Sequence, residues 1–163
     1  MCASRSLLVK KVVTHPSSIQ YASRGRPGKP SVVIFDRGLL DIPAYLPREA
    51  WLELLETLGF TEEYFAGRYD IVLHLVTTAH GVEDVYEVQK SNNPARQETA
   101  QQARELCDKV FDCWGLHPNV LKLENTSEGF AAKLVAGTHA VIEMIKAKKV
   151  WLGKKSADNA RVQ

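Results

Sequence analysis

Apolar and polar positions along the chain fall into short blocks whose spacing predicts alternating strands and helices. "VVIF", residues 32–35, is β-branched and aromatic and gives way to Asp36, Arg37 and Gly38. It is expected to be a buried strand ending near Asp36. Pro47 is placed to open a helix in which Trp51, Leu54, Leu55 and Leu58 repeat at i, i+3, i+4 and i+7, with Gly59 as the stop. A short helical segment is expected around "TEEYFAGR", with Thr61 as cap and two glutamates in its first turn. "IVLHLV", residues 71–76, carries the strongest strand signal. His74 inside it has no nucleophile or ligand cluster nearby in sequence and reads as a hydrogen-bonded structural histidine.

A long polar passage, "TTAHGVEDVYEVQKSNNPARQET", follows that strand. Thr99 and Gln102 then fit a capping box. Ala103, Leu106, Val110 and Trp114 continue an apolar helical face that Gly115 ends. "NVLKL", residues 119–123, supplies another short strand. A final helix is expected from about Ser127, with Phe130, Leu134, Val141 and Ile145 on its apolar side and a lysine-rich C-terminal end that suits the helix dipole. The last eight residues show no packing pattern. This alternation predicts a three-layer α/β domain, whose chemistry belongs at the C-terminal ends of the strands. Asp36, Thr77, Thr78 and Asn125 fall at those ends.

Length and charge narrow the picture. A chain of 163 residues is expected to form one domain with a substantial core. Its net charge of +2 is unevenly spread: the first 30 residues hold six Lys or Arg and no acid, leaving 15 basic against 19 acidic side chains beyond them. A mildly acidic body with a basic leader argues against specific nucleic-acid binding. Within the leader, "SLLVKKVV" reads as a strand or, alternatively, as part of an organellar transit peptide, and "SRGRPGKP" as an exposed linker. The expected plan is a leader or linker over 1–30, in part disordered, a domain over 31–150 and a flexible tail over 151–163.

The three cysteines, Cys2, Cys107 and Cys113, form no metal-ligand pattern. On one helix Cys107 and Cys113 point about 240° apart, which disfavours a disulfide and suits a reducing compartment. No apolar run approaches the roughly 20 residues that span a bilayer. The expected location is the cytoplasm, with a mitochondrion or other organelle as the alternative.

Candidate chemistry concentrates after the first confident strand. Asp36 could hold Mg²⁺ or take a proton from an incoming hydroxyl. Arg37 could clamp a phosphate or carboxylate through its planar fork. Asp41 could orient that arginine or the substrate, and Tyr45 could close the pocket. A structural Asp–Arg pair in a tight turn is the competing reading. Lys90 and Arg96 lie in the polar excursion, where an arginine that arrives with closure would neutralise developing phosphoryl charge. An ordinary surface loop before a capped helix is the alternative there.

Four stretches carry a family resemblance: "VVIFDRGLLDIPAYLP", "YDIVLHLVTTAHGVEDVY", "NNPARQETAQQARELCDKVFDCWGLHPNV" and "ENTSEGFAAKL". Over residues 32–145 the chain resembles the nucleoside-kinase-like P-loop ATPases typified by the NadR kinase domain. The resemblance implies a three-layer P-loop NTPase/kinase-like parallel sheet, with "FDRG", "LHLV" and "VLKL" closing its third, fourth and fifth strands. It implies Mg²⁺ and ATP or GTP as cofactors, Asp36, Arg37 and Arg96 as catalytic groups, and Asp36 as the metal ligand. Asp41 and Tyr45 would meet the substrate, a small hydroxyl-bearing or phosphorylated molecule such as a nucleoside. Lys90, Asn125 and Thr126 would contact the nucleotide, with Arg96 in the lid over its phosphates.

One departure is severe. The sequence contains no G-x-x-x-x-G-K-[ST] phosphate cradle. "GRPGKP" has the wrong spacing and puts Pro30, which lacks an amide donor, where Ser or Thr should bind Mg²⁺. In the resembling fold the strand before that cradle lies between those equivalent to "VVIF" and "IVLHLV". Losing it would strand buried backbone groups at about 1–3 kcal/mol each. "SLLVKKVV" is one candidate for the slot, although Lys10 and Lys11 sit awkwardly in a central strand. A protein partner or a second copy completing the sheet is another, and a shortened product of a longer gene a third. The expectation is a partial nucleotide-binding domain related to ATP- or GTP-dependent phosphotransferases and impaired in independent catalysis. The alternative is a non-catalytic interaction or regulatory module on that fold.

Overall fold

A computed structural model describes residues 5–12, 31–93 and 97–160, with side chains for 32–93 and 97–147. In chain order the elements are β1 (Arg5–Val12), β2 (Ser31–Asp36), a 3-10 turn (Leu39–Tyr45), α1 (Arg48–Leu58), α2 (Glu62–Ala66), β3 (Ile71–Leu75), α3 (Glu83–Ser91), α4 (Ala100–Asp112), β4 (Val120–Leu123) and α5 (Gly129–Ala160).

The four strands form one sheet in the order β2-β1-β3-β4. β1 is antiparallel to both neighbours, with Leu7 opposite Asp36 on one side and Leu73 on the other. β3 and β4 are parallel, Val72 facing Val120 and Leu75 facing Leu123. The expected all-parallel sheet is therefore corrected. The fold is mixed α/β, and its second strand in space runs against the other three. The slot between "VVIF" and "IVLHLV" is filled by "RSLLVKKV", which satisfies the backbone groups that an open sheet would strand. Register resolves the two lysines. β1 pairs with β3 only from Arg5 to Val9, so Lys10 and Lys11 lie beyond the last β3 partner and face β2 alone.

Successive side chains of β3 point to opposite faces of the sheet, and both faces are covered, since Ile71 to His74 are all buried. Ile71 and Leu73 join Leu123 against Ala140, Val141 and Met144 of α5. Val72 faces the opposite way, into Leu40, Trp51, Leu55, Phe65, Ala66 and Trp114. The sheet thus carries α5 on one face and the 3-10 turn, α1, α2 and α4 on the other. Local signals set several boundaries. Gly59 closes α1 at φ +66, Thr61 Oγ1 accepts from Tyr64 N at 3.2 Å, and Thr99 and Gln102 cap α4 reciprocally at 3.2 and 2.9 Å.

Three expectations change. β2 is an edge strand, not a buried one, and Ile34 is 62% exposed. The polar passage after β3 contains the helix α3, anchored by one buried residue, Tyr86, whose hydroxyl donates to the Glu98 carbonyl at 2.9 Å. In α5, Phe130 and Leu134 face solvent, while Lys133, Gly137, Ala140 and Val141 turn toward the sheet. Gly137 accounts for the rotation, because a Cβ there would lie 3.3 Å from both Leu73 and Leu123.

Candidate functional site

Because β1 is antiparallel to β2 and β3, and β3 is parallel to β4, the strands β2, β3 and β4 all end at one edge of the sheet. That edge gathers Asp36 and Arg37, then Thr77 and Thr78, then Asn125 and Thr126, as strand direction led one to expect. β1 contributes its N-terminal end there.

At β2, Asp36 is exposed and Arg37 is half-buried. Arg37 holds φ +70, a left-handed backbone that disfavours any residue with a Cβ. Its Nη1 donates to the Tyr45 hydroxyl at 2.7 Å, and the guanidinium lies 5.8 Å from the ring centroid. Arg37 is therefore partnered by Tyr45, a pairing the sequence reading did not make. Asp41 lies elsewhere: it is 3% exposed and accepts from Trp114 Nε1 at 2.6 Å and from Gly38 N at 3.4 Å. Its carboxylate anchors the 3-10 turn to the core.

At the middle and far strands, polar side chains bind backbone carbonyls. Asn125 Nδ2 donates to Thr77 O at 2.8 Å and His80 O at 2.6 Å, fixing the loop after β3. Lys133 Nζ, on a residue 6% exposed, donates to Val76 O at 2.7 Å, and burial pulls its pKa below the ordinary lysine value. Thr126 is exposed, and its carbonyl accepts from Gly129 N. Lys90 is half-buried in the last turn of α3. Arg96 and "GRPGKP" lie outside the described residues.

Behind the edge is a polar cluster that sequence reading did not assemble. His74 is fully buried, its Nε2 3.3 Å from Cys107 Sγ and its Nδ1 without a hydrogen-bond partner. Burial, then the positive charge of Lys122, lowers its pKa to about 4, so the ring is neutral at pH 7. His74 is hydrogen-bonded as expected, but to a cysteine 33 residues away. Among the described residues, the side chains grouped closely enough to share a metal ion are His80, Cys107 and Asp108; Asp36 is not among them.

Between β2 and α5 runs an apolar cleft of about 270 Å³ lined by Ile34, Leu75, Lys133, Leu134 and Ile142 among others. No described helix is long and apolar enough to cross a membrane. The chain matches no protein-family model, no curated protein and no solved structure.

Proposed function

We propose that this chain is a non-catalytic module on a nucleotide-kinase-like α/β scaffold, acting through a protein partner or a second copy and not through turnover of its own. One observation carries the reading: the strand in the central slot is antiparallel. In a phosphate-cradling fold the central strand runs toward the edge where the other strands end, and its exit loop wraps the phosphates before a helix N-terminus. Here the central strand starts at that edge, so its exit loop leaves from the opposite one. Arg37, bonded to the Tyr45 hydroxyl, is suited to weak contact with a phosphate or nucleotide. Mg²⁺ with ATP or GTP would follow from the family resemblance; Asp36 would offer such an ion a single carboxylate.

The interaction reading also has a surface. Leu134 (50% exposed) and Ile142 (44%) of α5 line one apolar cleft with the exposed Ile34 of β2 (62%). Clustered apolar exposure of this kind is characteristic of contact faces. The test is titration of the chain with Mg²⁺ and ATP or GTP, alongside phosphate release. The expected result is no release above that of Asp36→Ala. Saturable binding with release abolished by Asp36→Ala would restore the catalytic reading.

A further inference from the structure

We propose that His80, Cys107 and Asp108 form a binding site for a zinc-class divalent cation, with the buried ring of His74 against the same sulfur. One imidazole nitrogen, one thiol sulfur and one carboxylate oxygen from these three residues all lie within 4.8 Å of one another. His80 Nε2 is 3.4 Å from Asp108 Oδ1, yet it is a buried nitrogen without a hydrogen-bond partner. On the other side, His74 Nε2 is 3.3 Å from Cys107 Sγ. Around a tetrahedral zinc, with ligands about 2.0–2.3 Å away, ligand atoms stand roughly 3.3–3.7 Å apart. The His80–Asp108 edge of such a polyhedron is therefore already at that spacing, and the pairs to Cys107, all within 4.8 Å, reach it by contraction of about 1 Å or less.

The ligand set selects the ion. A thiolate and an imidazole favour zinc-class metals over magnesium or calcium, which take all-oxygen shells. On binding, the Cys107 thiol gives its proton to solvent and the thiolate forms the metal–sulfur bond; with Asp108 ionised, the two anions balance the dication. Cys107 is fully buried, whereas the side chains of His80 and Asp108 are 31% and 53% exposed, so the approach lies between those two. The fourth position is open to water or, by rotation, to His74.

Outer contacts hold the ligands in place, as metal sites require. His80 sits on the loop whose carbonyl accepts from Asn125 at 2.6 Å, and Arg104 Nη1 donates to the neighbouring Ala79 O at 2.9 Å. Cys107 and Asp108 are consecutive on α4. A bound ion would thus staple α4 to the loop after β3.

The test strips the whole chain with chelator and titrates it with Co²⁺ and Zn²⁺ alone. Expected are one equivalent bound, a thiolate-to-cobalt charge-transfer absorption, and displacement of cobalt by zinc. Cys107→Ser should abolish that absorption and Cys113→Ser should retain it. His80→Gln and Asp108→Asn, at partly exposed positions and checked for folding by circular dichroism, should each weaken zinc by about tenfold or more, at least what loss of an outer contact costs. Absence of the charge-transfer absorption in the wild-type chain, or zinc affinity unchanged in both folded ligand variants, would overturn the proposal.

Discussion

The indole nitrogen of Trp114 donates to Asp41 Oδ1 at 2.6 Å, tying the residues after α4 to the 3-10 turn 73 positions earlier. Both partners are buried, Trp114 completely and Asp41 to 3% exposure. Such a charge-assisted bond is worth about 1.5–3 kcal/mol, and a donor left alone in the core carries a similar penalty. Asp41→Ala should therefore destabilise by about 2–3 kcal/mol, whereas Asp41→Asn, which keeps an acceptor, should cost about half as much. Urea unfolding of both variants measures this. Equal losses would mean that the side-chain volume, not the acceptor, is what the turn needs.

His74 predicts an acid sensitivity with a definite sign. Its folded pKa of about 4 lies below the unfolded value of about 6.5, so between those values the unfolded chain binds the extra proton. The associated stability is present above pH 6.5 and is lost as pH falls toward 4, amounting to about 3 kcal/mol. His74→Leu removes that proton site and should flatten this part of the profile. Urea midpoints at pH 7, 5.5 and 4, with chelator present, compare the two chains. Parallel profiles would show that other groups cause the acid loss.

Element type was largely legible where one residue's local chemistry decides it. Gly59, Thr61 and the Thr99–Gln102 pair each do in the structure what they imply in sequence. The strand ends Asp36, Thr77 and Asn125 were legible too, because strand direction alone places them. What stayed hidden depends on partners far along the chain. β2 looked buried from its composition, but an edge position is set by pairing. On α5 Val141 is packed as its position implied, but Phe130 and Leu134 are exposed, because Gly137 and Lys133, a gap and a cation, do not register in an apolar pattern. α3 buries only Tyr86, too little for a periodicity to show. Nothing in the spacing of His74, His80 and Cys107 announces that a strand, a loop and a helix bring them together.

Gly137 tests how closely α5 rests on the sheet. An added Cβ would meet the Leu73 and Leu123 methyl groups at 3.3 Å each, and both are ends of flexible side chains. Alanine in a helix interior gains about 1 kcal/mol over glycine, which should offset the slight crowding. Gly137→Ala is thus expected to stay within about 1 kcal/mol of wild type, since overpacking of this size is partly relieved by rotation. Gly137→Leu cannot be relieved in that way and should cost about 1–3 kcal/mol or more. Thermal melts decide it; a leucine variant as stable as wild type would mean that the helix does not press on Leu73 and Leu123.

Arg37 separates stability from binding. At φ +70 it holds a backbone that costs a residue with a Cβ about 1–2 kcal/mol, a strain that glycine escapes. Its bond to Tyr45 is one of the contacts that oppose this strain. Arg37→Gly trades those contacts for the relieved strain and should change stability by no more than about 1 kcal/mol. Strain kept at a strand end, where a glycine would relax it, points to a use for the guanidinium. Phosphate titration followed by backbone amide shifts should move residues around Arg37, Thr77 and Asn125 in the wild type and leave them still in the glycine variant. A destabilised variant with unchanged phosphate shifts would place Arg37 in the framework and remove the anion-facing edge.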